Sequence, residues 1–215
     1  MKKNLWLEFE GNSWFLRNKD HLGKGFDIPL FLLELYSIKP KKALEIGAAN
    51  GYRLAKIYER YNTDCTGVEP SQKAIEDGES KYPFIKFVRS TCENSNLQKR
   101  KFDLIIINFV FHWIYRENLY VCINKIDKSL EEGGYLIIGD FGTEYFFKKK
   151  YHHLKDADFY TWKMPYWELF TKSGKYLEIA KLRFNHDTHK ISPDIDIDNM
   201  GTIVFLKKQD LYIER

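Results

Sequence analysis

The residues Glu45-Ile46-Gly47-Ala48-Ala49-Asn50-Gly51 set a carboxylate before two spaced glycines, directly after the apolar pair Ala43-Leu44. Glycines placed this way after a strand let the backbone come close to a ligand. Two ligands meet that description: the pyrophosphate of a dinucleotide and the sulfonium cofactor S-adenosylmethionine (SAM). A dinucleotide turn wants glycine at position 49, where Ala49 stands, and Glu45 would bring negative charge toward negative phosphates. The ammonium of SAM's methionine part would attract the same carboxylate. Glu69, in Gly67-Val68-Glu69-Pro70-Ser71, is placed to accept hydrogen bonds from both ribose hydroxyls of either NAD or SAM. Only Glu45 and Glu69 together favour SAM.

These residues need a scaffold that presents strand ends, and the pattern of the chain supplies one. A leucine-rich helix is expected over 28–38, closed by Pro40. Strand "KALEI", helix "GYRLAKIYERY", strand "DCTGVEP", a helix capped by Ser71, and strand "FIKFV" follow in alternation. The continuous apolar run "FDLIIINFVF" suits a strand covered on both faces. A helix over "RENLYVCINKIDKSLEEGG", stopped by Gly133 and Gly134, leads to a fifth strand, "YLIIGDF". Such alternation predicts a doubly wound, mainly parallel α/β sheet. Beyond it, residues 141–172 are rich in aromatics without a clear period, and two closing strands, "KYLEIAKLRFN" and "GTIVFLKK", end the pattern.

The chain has 215 residues, 44% hydrophobic and 16% aromatic, enough for one domain over 1–215 with a full core. Thirty-four Lys and Arg against thirty Asp and Glu give a formal charge of +4, spread along the chain, which argues against a nucleic-acid partner. Cys65, Cys92 and Cys122 lack metal-ligand spacing and read as reduced thiols of a cytoplasmic protein. The N-terminal stretch meets Glu8 and Glu10 before any apolar run, so neither a signal peptide nor a membrane span is expected. "DIDIDN" alternates Asp194, Asp196 and Asp198, but an EF-hand would need Gly and Glu where Asn199 and Phe205 stand; no metal site is expected.

Taken in order, the motifs resemble those of class I SAM-dependent methyltransferases over most of the chain. "LEIGAANG" is similar to that family's first motif and "GVEPS" to its ribose-binding second. "STCENSNL" is similar to the loop in which a small residue and an acid contact adenine, and "FDLIIINFVFHWI" to the fourth strand and its loop. The resemblance implies a Rossmann-like sheet of seven strands with the last antiparallel. It implies cofactor contacts at Gly47, Ala48, Asn50, Gly51, Glu69, Pro70, Cys92, Glu93 and Asn108, besides Glu45. "SWFLRNK" and "KYHHLKDADFYTWKMPYWELF" further resemble a bacterial subgroup associated with surface-polysaccharide biosynthesis. That likeness implies a cofactor-covering segment over 1–27, with Trp14 and Arg17 on the cofactor, and a substrate-side lid over 141–172.

Methyl transfer from a sulfonium asks chiefly for positioning, and a base helps where the acceptor is a hydroxyl. His112, His152 and His153 are the candidates, since all three are expected near the carboxyl edge of the sheet. The acceptor expected is a small polar molecule, a sugar or phosphorylated precursor, methylated on oxygen. "NFVF" lacks the two prolines of the motif used to methylate amino groups of bases. A nicotinamide-dependent oxidoreductase and a non-catalytic SAM-binding protein are the alternatives.

Overall fold

The computed structural model describes residues 5–142, 145–154 and 159–213. Residues 1–4 of the N-terminal segment, and 143–144 and 155–158 of the expected lid, lie outside the described residues. A π-helical turn, Trp6–Glu10, runs into α1 (Gly11–Asn18), and a loop leads to α2 (Ile28–Leu35). Asp27 caps α2 by accepting from Leu30 N at 3.1 Å, and Pro29 follows in the first turn, where no helical partner is lost. Then come β1 (Lys42–Ile46), α3 (Tyr52–Tyr61), β2 (Asp64–Glu69), α4 (Gln72–Lys81) and β3 (Lys86–Arg89). Ser71 caps α4 as expected, its hydroxyl accepting from Ala74 N at 3.1 Å. β4 (Phe102–Asn108), α5 (Leu119–Ser129) and β5 (Leu130–Asp140) complete the parallel part.

The seven-stranded sheet has the order β3-β2-β1-β4-β5-β9-β8, where β8 is Tyr176–Asn185 and β9 is Met200–Lys208. The last strand, β9, is antiparallel to both β5 and β8, as expected. β8 therefore runs with the parallel strands, and its carboxyl end reaches the same edge as theirs. The order reverses between β1 and β4, which makes that edge the natural ligand crevice. Period-2 alternation of uninterrupted apolar residues fills both faces. Ile105, Ile107, Leu136 and Ile138 pack with Cys122, Ile126 and Phe170 on one side. Leu104, Ile106 and Ile137 pack with Leu32, Leu54 and Ile57 on the other.

Two sequence expectations change. Gly133 and Gly134 do not stop α5; the helix ends at Ser129 and both glycines lie inside β5. Phe102 pairs with Leu130 and Leu104 with Tyr135, so β5 carries extra residues opposite β4. Gly133 absorbs that irregularity with φ +77°, a left-handed conformation that favours glycine. The aromatic segment after β5 also holds structure: β6 (Phe147–Lys150) pairs with β7 (Tyr160–Lys163) as a separate antiparallel ribbon, followed by the short helix α6 (Glu168–Thr171). No helix among the described residues is long and apolar enough to cross a membrane.

The left-handed conformation at Gly133 sets an expectation. Gly133→Val should unfold more easily than Gly133→Asn, by about 1–2 kcal/mol in chemical denaturation, because asparagine tolerates φ > 0 and a β-branched side chain does not.

Candidate active site

Every element that ends or starts at the carboxyl edge of β1, β2 and β4 contributes to two adjoining cavities. The turn after β1 brings Gly47 under Val110; a Cβ at Gly47 would fall 2.4 Å from Val110 Cγ2. Ala49 adopts φ +49°, the conformation a glycine would take more easily, and its N–H donates to Glu69 Oε2 at 2.8 Å. Ser71 N–H donates to Glu69 Oε1, also at 2.8 Å. Two backbone donors thus fix the Glu69 carboxylate, while each oxygen keeps a lone pair for a ligand hydroxyl. Burial pushes Glu69 up to about 7 against the pull of those two hydrogen bonds.

Glu45 has a partner that the sequence did not announce. Arg53, in the first turn of α3, is buried and donates through Nε to Asp27 Oδ2 at 2.9 Å and through Nη1 to Glu45 Oε1. Its Nη2 donates to Tyr52 OH at 2.7 Å. Glu45 Oε2 is buried and has no hydrogen-bond partner. Burial pushes Glu45 up to about 7, with Arg53 pulling it down. Half of this carboxylate is therefore held by the protein, and the other half is left for a donor arriving from the cavity. An ammonium group meets that need, and a pyrophosphate does not.

The larger cavity, about 880 Å³, is lined by Gly47, Glu69, Pro70, Cys92, Glu93 and Asn108, and by Trp6, Trp14, Trp113 and Val110. It lies within the size range of small-molecule sites. Cys92 is an apolar wall there: its hydrogen bond with Cys122, then burial, hold the thiol well above its usual pKa. Lys125 Nζ ties down the backbone of the loop after β3 by donating to Glu93 O at 2.5 Å and Ser95 O at 2.6 Å. Asn108 lies across Gly139, where a Cβ would come within 2.1 Å of Asn108 Oδ1.

A smaller cavity, about 200 Å³, shares Trp14, Gly47, Asn108 and Phe109 with the larger one. Glu45, Ala48, Ala49 and Arg53 line it, together with Asn18, His21, His186 and His189. Phe109, between the cavities, adopts φ +56°, costly for an aromatic residue, and its N–H donates to Gly139 O at 2.7 Å. Asn50 and Gly51 lie on the far side of the turn. Asn50 Nδ2 donates to Asp77 Oδ2 at 2.8 Å, and Gly51, at φ +77°, begins α3.

Four more expected residues line neither cavity. Arg17 Nη2 is 2.5 Å from Glu10 Oε1 and 2.9 Å from Tyr151 OH, and it lines neither cavity. It clasps the N-terminal segment to the segment after β5. His112 is buried, with Nδ1 2.8 Å from Asp140 Oδ1, and braces the ends of β4 and β5. His152 and His153 are exposed, their rings tilted at 45° with centroids 3.9 Å apart beside Tyr151, and the structure does not bring them to either cavity. No described residue of 141–172 lines these cavities; the segment reaches the site through Trp113, which packs on Tyr151 at 4.6 Å. Both histidines lie beyond the end of β6, outside the paired ribbon. Sequence reasoning missed Asp27, Arg53, Trp6, Trp113 and His186. Only Arg53 carried a signal, as a charged residue two positions into the helix that the glycine turn opens.

Residues 44–138 match a family model described as a methyltransferase domain. A curated relative, an uncharacterized methyltransferase of Alkaliphilus oremlandii (strain OhILAs), is 26% identical over 162 residues, covering 68% of this chain and 74% of its own. Among solved structures, the chain is similar to 1,6-didemethyltoxoflavin-N1-methyltransferase of Burkholderia thailandensis, bound to 1,6-didemethyltoxoflavin and S-adenosylhomocysteine (SAH). That likeness has a TM-score of 0.70 at 15% identity over 92% of this chain and 85% of the other. It is also similar to the O-methyltransferase of a trans-AT polyketide synthase of Brevibacillus brevis in complex with SAH. There the TM-score is 0.68 at 14% identity over 95% and 78%. The structural likenesses establish the fold.

The two raised carboxylates set a pH dependence. Both must be ionised to meet an ammonium and two hydroxyls, so affinity for SAH should fall as pH drops through about 7. Calorimetry between pH 8 and pH 5.5 should show a loss of about 10- to 100-fold. Glu45→Gln should weaken binding at pH 8 by about 1.5–3 kcal/mol and flatten that profile; an unchanged profile would remove Glu45 from the ammonium. Arg53→Met should lower unfolding free energy by about 3–5 kcal/mol, because it strands the buried Glu45 carboxylate and removes the partner of part-buried Asp27.

Proposed function

We propose that this chain, a SAM-dependent methyltransferase of class I architecture, methylates a small polar acceptor on oxygen, a sugar or phosphorylated precursor of surface polysaccharide. The observation that carries the acceptor class is the wall of the smaller cavity. Beyond Glu45 it mixes hydrogen-bonding side chains (Asn18, His21, His189) with the rings of Phe26 and Phe184. Sugars present the same mixture, apolar ring faces edged with hydroxyls. Lys24 on the same wall offers a charge partner for a phosphate. The likeness of "SWFLRNK" to the polysaccharide-associated subgroup points the same way.

Two features of the chain fit the cofactor: a buried carboxylate oxygen without a partner at Glu45, and a braced ribose-type carboxylate at Glu69. Glu45 would hold the ammonium and Glu69 the ribose hydroxyls. Cys92, Glu93 and Pro70 would enclose the adenine side, with Trp14, Gly47 and Asn108 at the seam and Ala48 on the smaller cavity. When bound, SAM supplies a methyl group already activated by positive sulfur. The protein's part is to exclude water and to aim the acceptor at the seam, which Phe109 and Trp14 line from both cavities.

The test is product identification by mass spectrometry after incubation with SAM and pooled nucleotide-linked sugars and sugar phosphates. A mass gain of one methyl group on a sugar oxygen is the expected result; methylation on nitrogen alone, or protection against heat unfolding by NADH and not by SAM, would overturn the reading. His152→Ala and His153→Ala, substitutions of exposed residues, should each leave turnover within about twofold.

A further inference from the structure

Four buried side-chain nitrogen or oxygen atoms among the described residues lack a hydrogen-bond partner, and two of them, Glu45 Oε2 and His186 Nδ1, belong to residues lining the same 200 Å³ cavity. A buried polar atom left unpaired is costly, and two of them on residues lining one small cavity point to partners that arrive with a ligand. Glu45 Oε2 is accounted for by the cofactor's ammonium. His186 is not yet accounted for. It follows the last residue of β8, Asn185, at the carboxyl edge, and its backbone N–H donates to Asn199 O at 2.8 Å, which fixes the loop. Its ring is wedged 4.7 Å from Phe109 and 4.7 Å from Phe141, the residues that follow β4 and β5. Three strand ends therefore hold one imidazole beside the seam of the two cavities.

We infer that His186 is the catalytic base, and that its Nδ1 takes the proton of the acceptor hydroxyl as that oxygen is methylated. This rests on the reading of the chain as a methyltransferase acting on a small polar acceptor. The acceptor O–H bond breaks and an N–H bond forms at Nδ1. The oxygen's electron pair forms the bond to the methyl carbon, the sulfur–methyl bond breaks with its pair left on sulfur, and the positive charge ends on the imidazolium. The surroundings keep the ring neutral beforehand. Burial lowers its pKa, Asp187 raises it, and His112, His189 and Lys163 lower it further. Lys163 Nζ sits 4.1 Å over the Phe141 ring, across the phenyl group that touches His186. The lone pair is thus available at neutral pH, which His152 and His153, out on the surface, have no geometry to exploit.

The test has two arms. In the first, histidine labelled at Cε1 is titrated by NMR in the full chain with SAH, and the His186 signal is assigned with His186→Gln. A midpoint below the ordinary histidine value of about 6.5, with a signal displaced by SAH, is expected; a midpoint at or above that value, or no response to SAH, overturns the proposal. In the second, methyl transfer from SAM to the pooled sugar nucleotides and sugar phosphates is followed in His186→Gln. Turnover should fall about 100-fold or more with SAM affinity within about twofold, and the loss should shrink as pH rises. Unchanged turnover overturns the proposal, as does a loss of SAM affinity equal to the loss of turnover. If the unsubstituted protein methylates nothing in the pool, the acceptor reading fails, and the NMR arm alone decides whether His186 is a neutral base at the cofactor.

Discussion

The buried ion triad of Asp27, Arg53 and Glu45 governs how the rest of the site is arranged. One guanidinium, sealed from water, joins three parts of the chain: the cap of α2, the end of β1 and the first turn of α3. Removing such charges from water is expensive, and the expense is tolerable only where every charge has a partner. Here the match is incomplete by one oxygen, Glu45 Oε2. The same network that closes the glycine turn thus leaves a single unmet demand, on a residue that lines the smaller cavity.

The sheet order explains why the other functional groups converge. β1 and β4 are paired neighbours, but the helices that follow them pack on opposite faces of the sheet, so a crevice opens outside their carboxyl ends, and Glu69 ends β2 beside it. Because β9 is antiparallel, β8 returns in the direction of the parallel strands. Its end therefore delivers His186 to an edge otherwise built by residues far earlier in the chain. The strained turn at Phe109 and the tight contact of Asn108 with Gly139 are local costs at the meeting point of these strand ends.

The N-terminal segment closes the crevice from outside. Asn12 Oδ1 accepts from Ser71 Oγ at 2.9 Å and Lys73 N at 3.1 Å, and Arg89 donates to Leu7 O, so α1 is fastened to α4 and β3. Glu10, 1% exposed, takes hydrogen bonds from Arg17 and Tyr151 and so links this segment to the one that follows β5. Trp6 meets Trp113 edge-on at 4.8 Å, completing an aromatic wall over the larger cavity. Arg17 and Tyr151 act here as fasteners between the two segments.

What the sequence determined by itself was whatever depends on neighbours along the chain. Alternating apolar runs dictated a parallel, doubly wound sheet, the glycine turn and Glu69 marked the sheet edge where the cavities lie, and Ser71 marked a helix start. These rest on period, capping and backbone conformation, which a few consecutive residues decide. The tertiary structure decided the partners. Arg17 and Arg53 look equally available as bare cations, yet one is tied to Glu10 and the other to Asp27 and Glu45. His152 and His153 drew attention as a pair but face solvent, while His186, in an unremarked polar loop, is carried to the cavity by β8. Gly133 and Gly134 read equally well as a helix stop or a strand irregularity until β4 sets their register. The physical reason is common to all of these. Burial and charge pairing join residues distant in sequence, and no local pattern encodes which side chain reaches a given oxygen first.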